Sequence, residues 1–363
     1  MRINLFRSVA RSSHVKLGLR MREFVCTALF ATALMLDPAK AQDSEFYRGK
    51  TITIFVGSDV GSGYDAYARL VGRHIGKHIP GNPVTVVQNQ PGAGSITMAN
   101  ALANVGAKDG TSIGAPQSSV AFERLLYLLS PEGKAANFDA TKLNWLGTAA
   151  QDTFVMLGWN KSKIRSAEDM LAKEFVVGTS GPNTDGSLIV AIMNKLLDTK
   201  IKLITGYKGT AAQLLALESG EIDASSMAYA TVKTLRPNLQ RDKEISILLQ
   251  IGRERHPDLA NAPLLSDLLK NEEDRASVSI IFDKYQMGRP FFAPVGVPAE
   301  RIAVLRAAFD ASMKDPALIA EADKQKLELN PLTGAQVEAL IMRLYASPQE
   351  QVKRARLLLG TEK

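Results

Sequence analysis

Apolar and polar positions alternate along "TITIFVG" (51–57), and a period-two run rich in β-branched residues predicts a strand. The period then changes. In "DAYARLVGRHIGKHI" (65–79), Tyr67, Leu70, Val71, Ile75 and Ile79 recur at helical spacing. The couple returns as the strand "PVTVVQN" and the helix "ITMANALANV", followed by a short extended "TSIGAPQ". "NWLGTAAQDTFVMLGWN" holds two extended pieces and is placed to carry the chain between domains. Next come the helix "SAEDMLA", with Ser166 at its cap, and the strand "FVVGTSG". The helix "SLIVAIMNKLL", the strand and loop "IKLITGYKG" and the helix "TAAQLLALESG" continue the alternation. The strands "EIDASSM" and "ISILLQIG", then "RPFFAPVGVP", lead into helices that fill the C-terminal quarter.

Strands alternating with helices predict an α/β fold with mainly parallel sheets. Glycine turns follow strands in two separate halves, around 57–63 and 92–94 and again around 178–187. Two sheets that present loops from the carboxyl ends of their strands would hold a ligand in the crevice between them. The segment "LSPEGKAANFDATK" (129–142) is expected as a surface loop.

Charge alters this picture less than its total suggests. The 363-residue chain carries a net +7, but residues 1–41 alone contribute +5. With the basic excess in the leader, no basic stripe remains for a nucleic acid. Basic residues precede the apolar run "FVCTALFATALML", and "AKA" (Ala39–Ala41) sets a cleavage ahead of Gln42. Residues 1–41 are therefore expected to be a cleaved signal peptide, whether translation starts at Met1 or at Met21. Cys26, the one cysteine, lies within it, so the mature chain has no disulfide, thiolate metal site or cysteine nucleophile.

The turn "GSDVGSGYD" (57–65) does not suit a nucleotide. A P-loop needs Lys and then Ser or Thr after its last glycine, whereas Tyr64 and Asp65 follow Gly63. Taken alone, the turn is equally well explained by Gly61 and Gly63 easing the chain and Asp65 capping a helix. A second loop of similar composition, "NQPGAGS" (89–95), tips the balance. Parallel neighbours would bring both loops to one end of the sheet, where backbone N–H groups and two helix N-termini could share one carboxylate.

These stretches, followed by "KDGTSIG", "GTSGPNTDGSL", "GYKGTAAQLLALESGEIDA" and "FFAPVGVPAERIAVLRAAF", resemble the tripartite tricarboxylate transporter receptor family, the Bug or tricarboxylate-binding periplasmic proteins. The resemblance runs in order from Phe46 to Leu332. It implies a two-domain periplasmic binding protein of the Venus flytrap, type II-like kind, each domain a mainly parallel sheet flanked by helices. Domain 1 would be discontinuous, 47–149 plus 268–363, and domain 2 would span 150–267. By the same resemblance, Gly61, Ser62, Gly63 and Asp65 with Gly92, Ala93, Gly94 and Ser95 would hold one ligand carboxylate. Thr179, Ser180, Asn183 and Ser187, with Tyr207, Lys208, Gly209 and Asp223, would face them. The first loop departs from the family's usual "PPGGGTD", bringing Ser58 and Asp59 to the rim and so disfavouring polyanions.

Other constellations carry less. His74 and His78 have metal-ligand spacing on a helix but no glutamate base between them, and read as boundary residues. Ser62 and Ser180 lack the nucleophile-elbow pattern, and Trp145 and Trp159 read as packing. The resulting expectation is a periplasmic, monomeric, non-enzymatic receptor of a Gram-negative bacterium, without cofactor or metal, delivering a small organic carboxylate to membrane permease subunits. A binding protein serving a sensor system, or a secreted hydrolase built on the loop serines, are the alternatives.

Overall fold

The computed structural model describes residues 45–127, 136–181 and 184–362. The expected signal peptide and most of the expected loop at 129–142 lie outside these. What is described of that loop turns inward, burying Ala136, Phe138 and Ala140.

Two sheets organise the chain. The first has the order β11-β4-β10-β3-β1-β2, with β1 (Thr51–Val56), β2 (Val84–Asn89), β3 (Ser112–Ala115), β4 (Asn144–Thr148), β10 (Pro290–Ala293) and β11 (Leu332–Thr333). The second has the order β7-β6-β8-β5-β9, with β5 (Phe154–Trp159), β6 (Glu174–Thr179), β7 (Lys200–Thr205), β8 (Ala224–Ala228) and β9 (Ile245–Ile251). Strands β1, β2 and β3 are parallel, as are β6, β7 and β8. The sheets are nevertheless mixed: β10 runs against β3 and β4, and β5 against β8 and β9. Strands β5 and β10 are the first to follow a passage of the chain between sheets, whereas β11, also reversed, pairs only with β4 at the sheet's edge. A strand that enters from the crossing end must point away from it, while its neighbours point towards it.

The helices that matter most for the site open directly after strands: α1 (Gly63–Ile75), α2 (Ile96–Val105), α3 (Asp185–Leu196) and α4 (Gly209–Glu218). Helix α1 buries Tyr67, Leu70, Val71 and Ile75 against the first sheet, which is the arc its spacing predicts. Four later helices, α5 (Glu272–Phe282), α6 (Ala299–Ser312), α7 (Gly334–Tyr345) and α8 (Gln349–Leu359), complete the layers. Helices α6 and α7 pack on β4, whereas α8 packs on α5 and also on α3 of the second sheet. Trp145 is buried against Phe292, and its indole N–H donates to the Ala140 carbonyl at 2.9 Å. Among the described residues, no helix is long and apolar enough to cross a membrane.

The crossings lie side by side. The Asp152 N–H donates to the Tyr285 carbonyl at 2.8 Å, and the Arg289 N–H to the Ala150 carbonyl at 3.1 Å. A third segment joins them where the Gln151 N–H donates to Asn330 Oδ1 at 2.6 Å. The stretch 283–289 thus runs beside 149–152 at the end of both sheets to which β1–β3 and β6–β8 point.

Candidate functional site at the carboxyl ends of two sheets

The register of β1 with β2 sets Val56 beside Asn89, so the loops after both strands start level. Asn89 Nδ2 donates to the Ser58 carbonyl and to Asp65, each at 2.9 Å. The Asp65 carboxylate also accepts from the Gly61 N–H at 2.9 Å and from Arg69 Nε at 3.0 Å. Arg69 Nη2 closes the ring by donating to Asn89 Oδ1 at 2.8 Å. Burial works to raise the Asp65 carboxyl, but the bonds from Arg69, Gly61 and Asn89 outweigh it and hold the group below the ordinary aspartate value. Ser62 caps α1, accepting from the Asp65 N–H at 3.2 Å, and its hydroxyl meets that of Ser58 at 2.8 Å.

The second loop is tied to the first through Ser95. This fully buried hydroxyl donates to the Gly57 carbonyl at 2.7 Å and accepts from the Gln117 N–H at 3.0 Å. A Cβ at Gly57 would stand 2.4 Å from the Ser95 Cβ, so only glycine permits the approach. Gly92, Ala93, Gly94 and Ser95 all have positive φ, at 144°, 45°, 61° and 80°. For Ala93 and Ser95 that conformation costs about 1–2 kcal/mol each, so the surrounding bonds over-determine the turn. The result is a set of N–H groups with nothing to bond. Among the described residues, those of Gly63, Tyr64, Ala93 and Gly94 have no acceptor.

The second sheet's loops are held by hydroxyls. Thr179 Oγ1 and Ser187 Oγ meet at 2.6 Å, and Ser187 donates to the Gly181 carbonyl at 2.6 Å. Both residues are buried and brace their own loop. Ser180 accepts from Gln213 Nε2 at 2.7 Å. The Tyr207 hydroxyl donates to Glu221 at 2.7 Å; burial, then this carboxylate, push it up to about 12. Lys208 and Gly209 are exposed at the start of α4, and Asn183 lies outside the described residues. Asp223 sits at the start of β8, away from the Thr179–Ser187 loop, where its carboxylate accepts from the Val176 N–H at 3.0 Å.

Between the two sets of loops lies the crossing stretch 283–289, whose chemistry sequence reading passed over. Lys284 is buried and donates to Asp185, the first residue of α3, at 2.6 Å. Burial favours its neutral form, yet Asp185 and the neighbouring tyrosine hydroxyls keep the ammonium charged well above the ordinary lysine value. Arg289 stands over the rings of Tyr64 and Tyr67, at 4.8 and 5.1 Å, and donates to Asp152 at 2.7 Å. The Tyr285 ring stacks on Phe154 at 4.5 Å. The available signal was a lone charge between Gly288 and Pro290 at the head of the wholly apolar strand "PFFA". His74 and His78 are drawn into carboxylates instead, at 2.7 Å to Glu321 and 3.1 Å to Asp315. No group of three metal-type side chains converges among the described residues.

Two mixed sheets flanked by helices and joined by adjacent crossings, with the loops after their parallel strands at the crossing end, make a two-domain α/β fold. The family model described as "Tripartite tricarboxylate transporter family receptor" matches residues 68–359, and the chain belongs to that family. Its fold is similar to a ligand-free TctC solute-binding protein from Polaromonas (TM-score 0.67, 19% identity, 86% of this chain and 99% of that one). It is also similar to MatC from Rhodopseudomonas palustris with bound malate (0.55, 18%, 86% and 99%). An adipate-bound protein of R. palustris compares likewise (0.59, 19%, 85% and 97%). Among curated protein sequences none matches.

Proposed function

We propose that the protein is an exported receptor that captures a small organic carboxylate between the two sheets and delivers it to the membrane subunits of a tripartite transporter. The observation that carries this reading is the set of unbonded N–H groups at Gly63, Tyr64, Ala93 and Gly94, held in two loops locked to each other through Asn89 and Ser95. Donors of this kind at helix N-termini favour an anion and need no side-chain charge. The malate and adipate bound by similar folds make a carboxylate the natural candidate.

On this reading the lobes are 47–149 plus 268–363 and 150–267. The first binds by backbone, and the second closes over the ligand with hydroxyl, amide and lysine contacts. Closure shifts an existing open–closed equilibrium by the ligand's preference for the closed form. No bond of the ligand is made or broken. Residues 1–41 direct export and are removed, which N-terminal sequencing of the periplasmic protein would register as a start at Gln42.

A thermal-shift series across mono-, di- and tricarboxylates tests the reading. A ligand at about 100 times its Kd stabilises by about 2.7 kcal/mol, which is a clear rise in Tm. If sugars or cations stabilise and no acid does, the reading is wrong.

A further inference from the structure

The geometry points to Arg289 as the residue that fixes the ligand's captured carboxylate, an inference that rests on the carboxylate reading above. Its backbone is pinned at the crossing: the N–H donates to Thr148 Oγ1 at 3.0 Å and to the Ala150 carbonyl at 3.1 Å, and its carbonyl accepts from the Ala149 N–H at 3.0 Å. The following Pro290 further restricts the residue's backbone. The guanidinium is therefore aimed by the fold.

How its nitrogens are used is the telling point. Nη1 donates both to Asp152, at 2.7 Å, and to the Gly288 carbonyl, at 2.6 Å. Nε is buried without a partner, and Nη2 bonds nothing among the described residues. Nε and Nη2 form the edge with which a guanidinium takes both oxygens of a carboxylate. An aspartate placed only to neutralise the charge would occupy that edge, but Asp152 takes the other end. The free edge is turned towards Gly63: a Cβ there would lie 3.6 Å from Nη2 and 4.0 Å from Nε. It thus lies beside Gly63, one of the residues whose N–H is unbonded, with the guanidinium over the ring of the next, Tyr64. A buried donor with no acceptor is a standing cost that a ligand oxygen relieves.

The other cations near the crossing are less available. The Lys284 ammonium is bonded to Asp185, and Lys208 is exposed on the loop after β7. Asp152 and Asp185 balance Arg289 and Lys284, so these two pairs leave no surplus charge for a second carboxylate at the same place. The ligand class is an acid that inserts one planar carboxylate and keeps any other out towards the loop rims. Its primary amide should be rejected.

Titration calorimetry with malate and with adipate tests this on the wild type, Arg289→Met, Arg289→Lys and Asp152→Asn, each checked by circular dichroism. Arg289→Met is expected to weaken binding by about 30-fold or more, and Arg289→Lys by about 10-fold, because an ammonium cannot form the fork. Asp152→Asn keeps the fork and removes the competing charge, so binding should tighten about threefold. Should Arg289→Met not fold, the Lys and Asn variants decide. Affinity within twofold in Arg289→Met, or in Arg289→Lys, would overturn the inference while leaving the carboxylate reading intact. Asp152→Asn losing as much affinity as the arginine variants would reduce Arg289 to a partner of Asp152. A wild type that binds no acid in the wider series ends both ideas together.

Discussion

The loops of the two sheets are similar in composition and opposite in construction. Those of the first sheet are closed by a ring in which Asp65, Arg69 and Asn89 bind one another and the loop backbone, with Ser95 bolting one loop to the next. Those of the second are held mostly by hydroxyls, Thr179 with Ser187 and Ser180 with Gln213, beside one ion pair from the crossing, Lys284 to Asp185, and Lys208 stands free in solvent. A charged ring in a protected place holds geometry without a ligand, whereas hydroxyls can exchange partners for little free energy. The difference teaches a division of labour: one side is prebuilt, and the other adapts as it closes.

The contrast can be broken most severely at the ring. Asp65→Ala leaves the Gly61 N–H and Arg69 Nε without their acceptor, Arg69 Nη2 keeping only Asn89, and should cost about 2 kcal/mol, measured by urea unfolding, with binding lost. The milder Asp65→Asn adds a pH test. Because the folded Asp65 carboxyl sits below its ordinary value, its contribution is fully present above the unfolded pKa of about 3.9 and is lost as pH falls through the folded one. The stability gap between wild type and Asp65→Asn should therefore shrink on acidification; a gap that does not change with pH would remove charge from the explanation.

Gly94→Val comes next. A β-branched residue at φ 61° costs about 1–2 kcal/mol and should abolish ligand-induced stabilisation while the protein remains folded. Thr179→Val removes one hydroxyl from a pair whose other member still bonds Gly181, so a loss of about 1 kcal/mol is expected. Equal losses at Thr179 and Asp65 would erase the contrast between the two sides. Lys208→Ala should change stability by less than about 0.5 kcal/mol. A large fall in affinity there would mean that the second sheet's cation reaches the ligand on closure.

The elements were legible because both periods are strong: β1, α1, β2 and α2 fall where alternation and helical spacing put them. Strand direction was not. "TFVMLGW" reads as extended either way round and "RPFFAPVGVP" carries no sign of direction, and the reversal of both strands follows from where the chain crosses, which no local pattern encodes. The glycine loops were visible as composition, and the structure gives their residues distinct tasks. Asp65 looked like a ligand contact and instead has its oxygens occupied by Gly61, Arg69 and Asn89. Its bond to Asn89 depends on the register of two strands, a relation that appears only when they pair. Arg289 went unread for a similar reason, since Tyr64 and Asp152 lie far from it in sequence and meet it only at the crossing.

The strand order also leaves each sheet with two outermost strands, β11 and β2 on the first and β9 and β7 on the second, and of these β7 and β2 are defended unequally. At the margin of the second sheet, β7 carries Lys200 and Lys202, charges that repel a stray strand. At the margin of the first, β2 is uncharged, with Val84 and Val86 open to water. Crowding at high concentration should therefore begin self-association along β2, and Val86→Lys should keep light-scattering traces flat where those of the wild type climb.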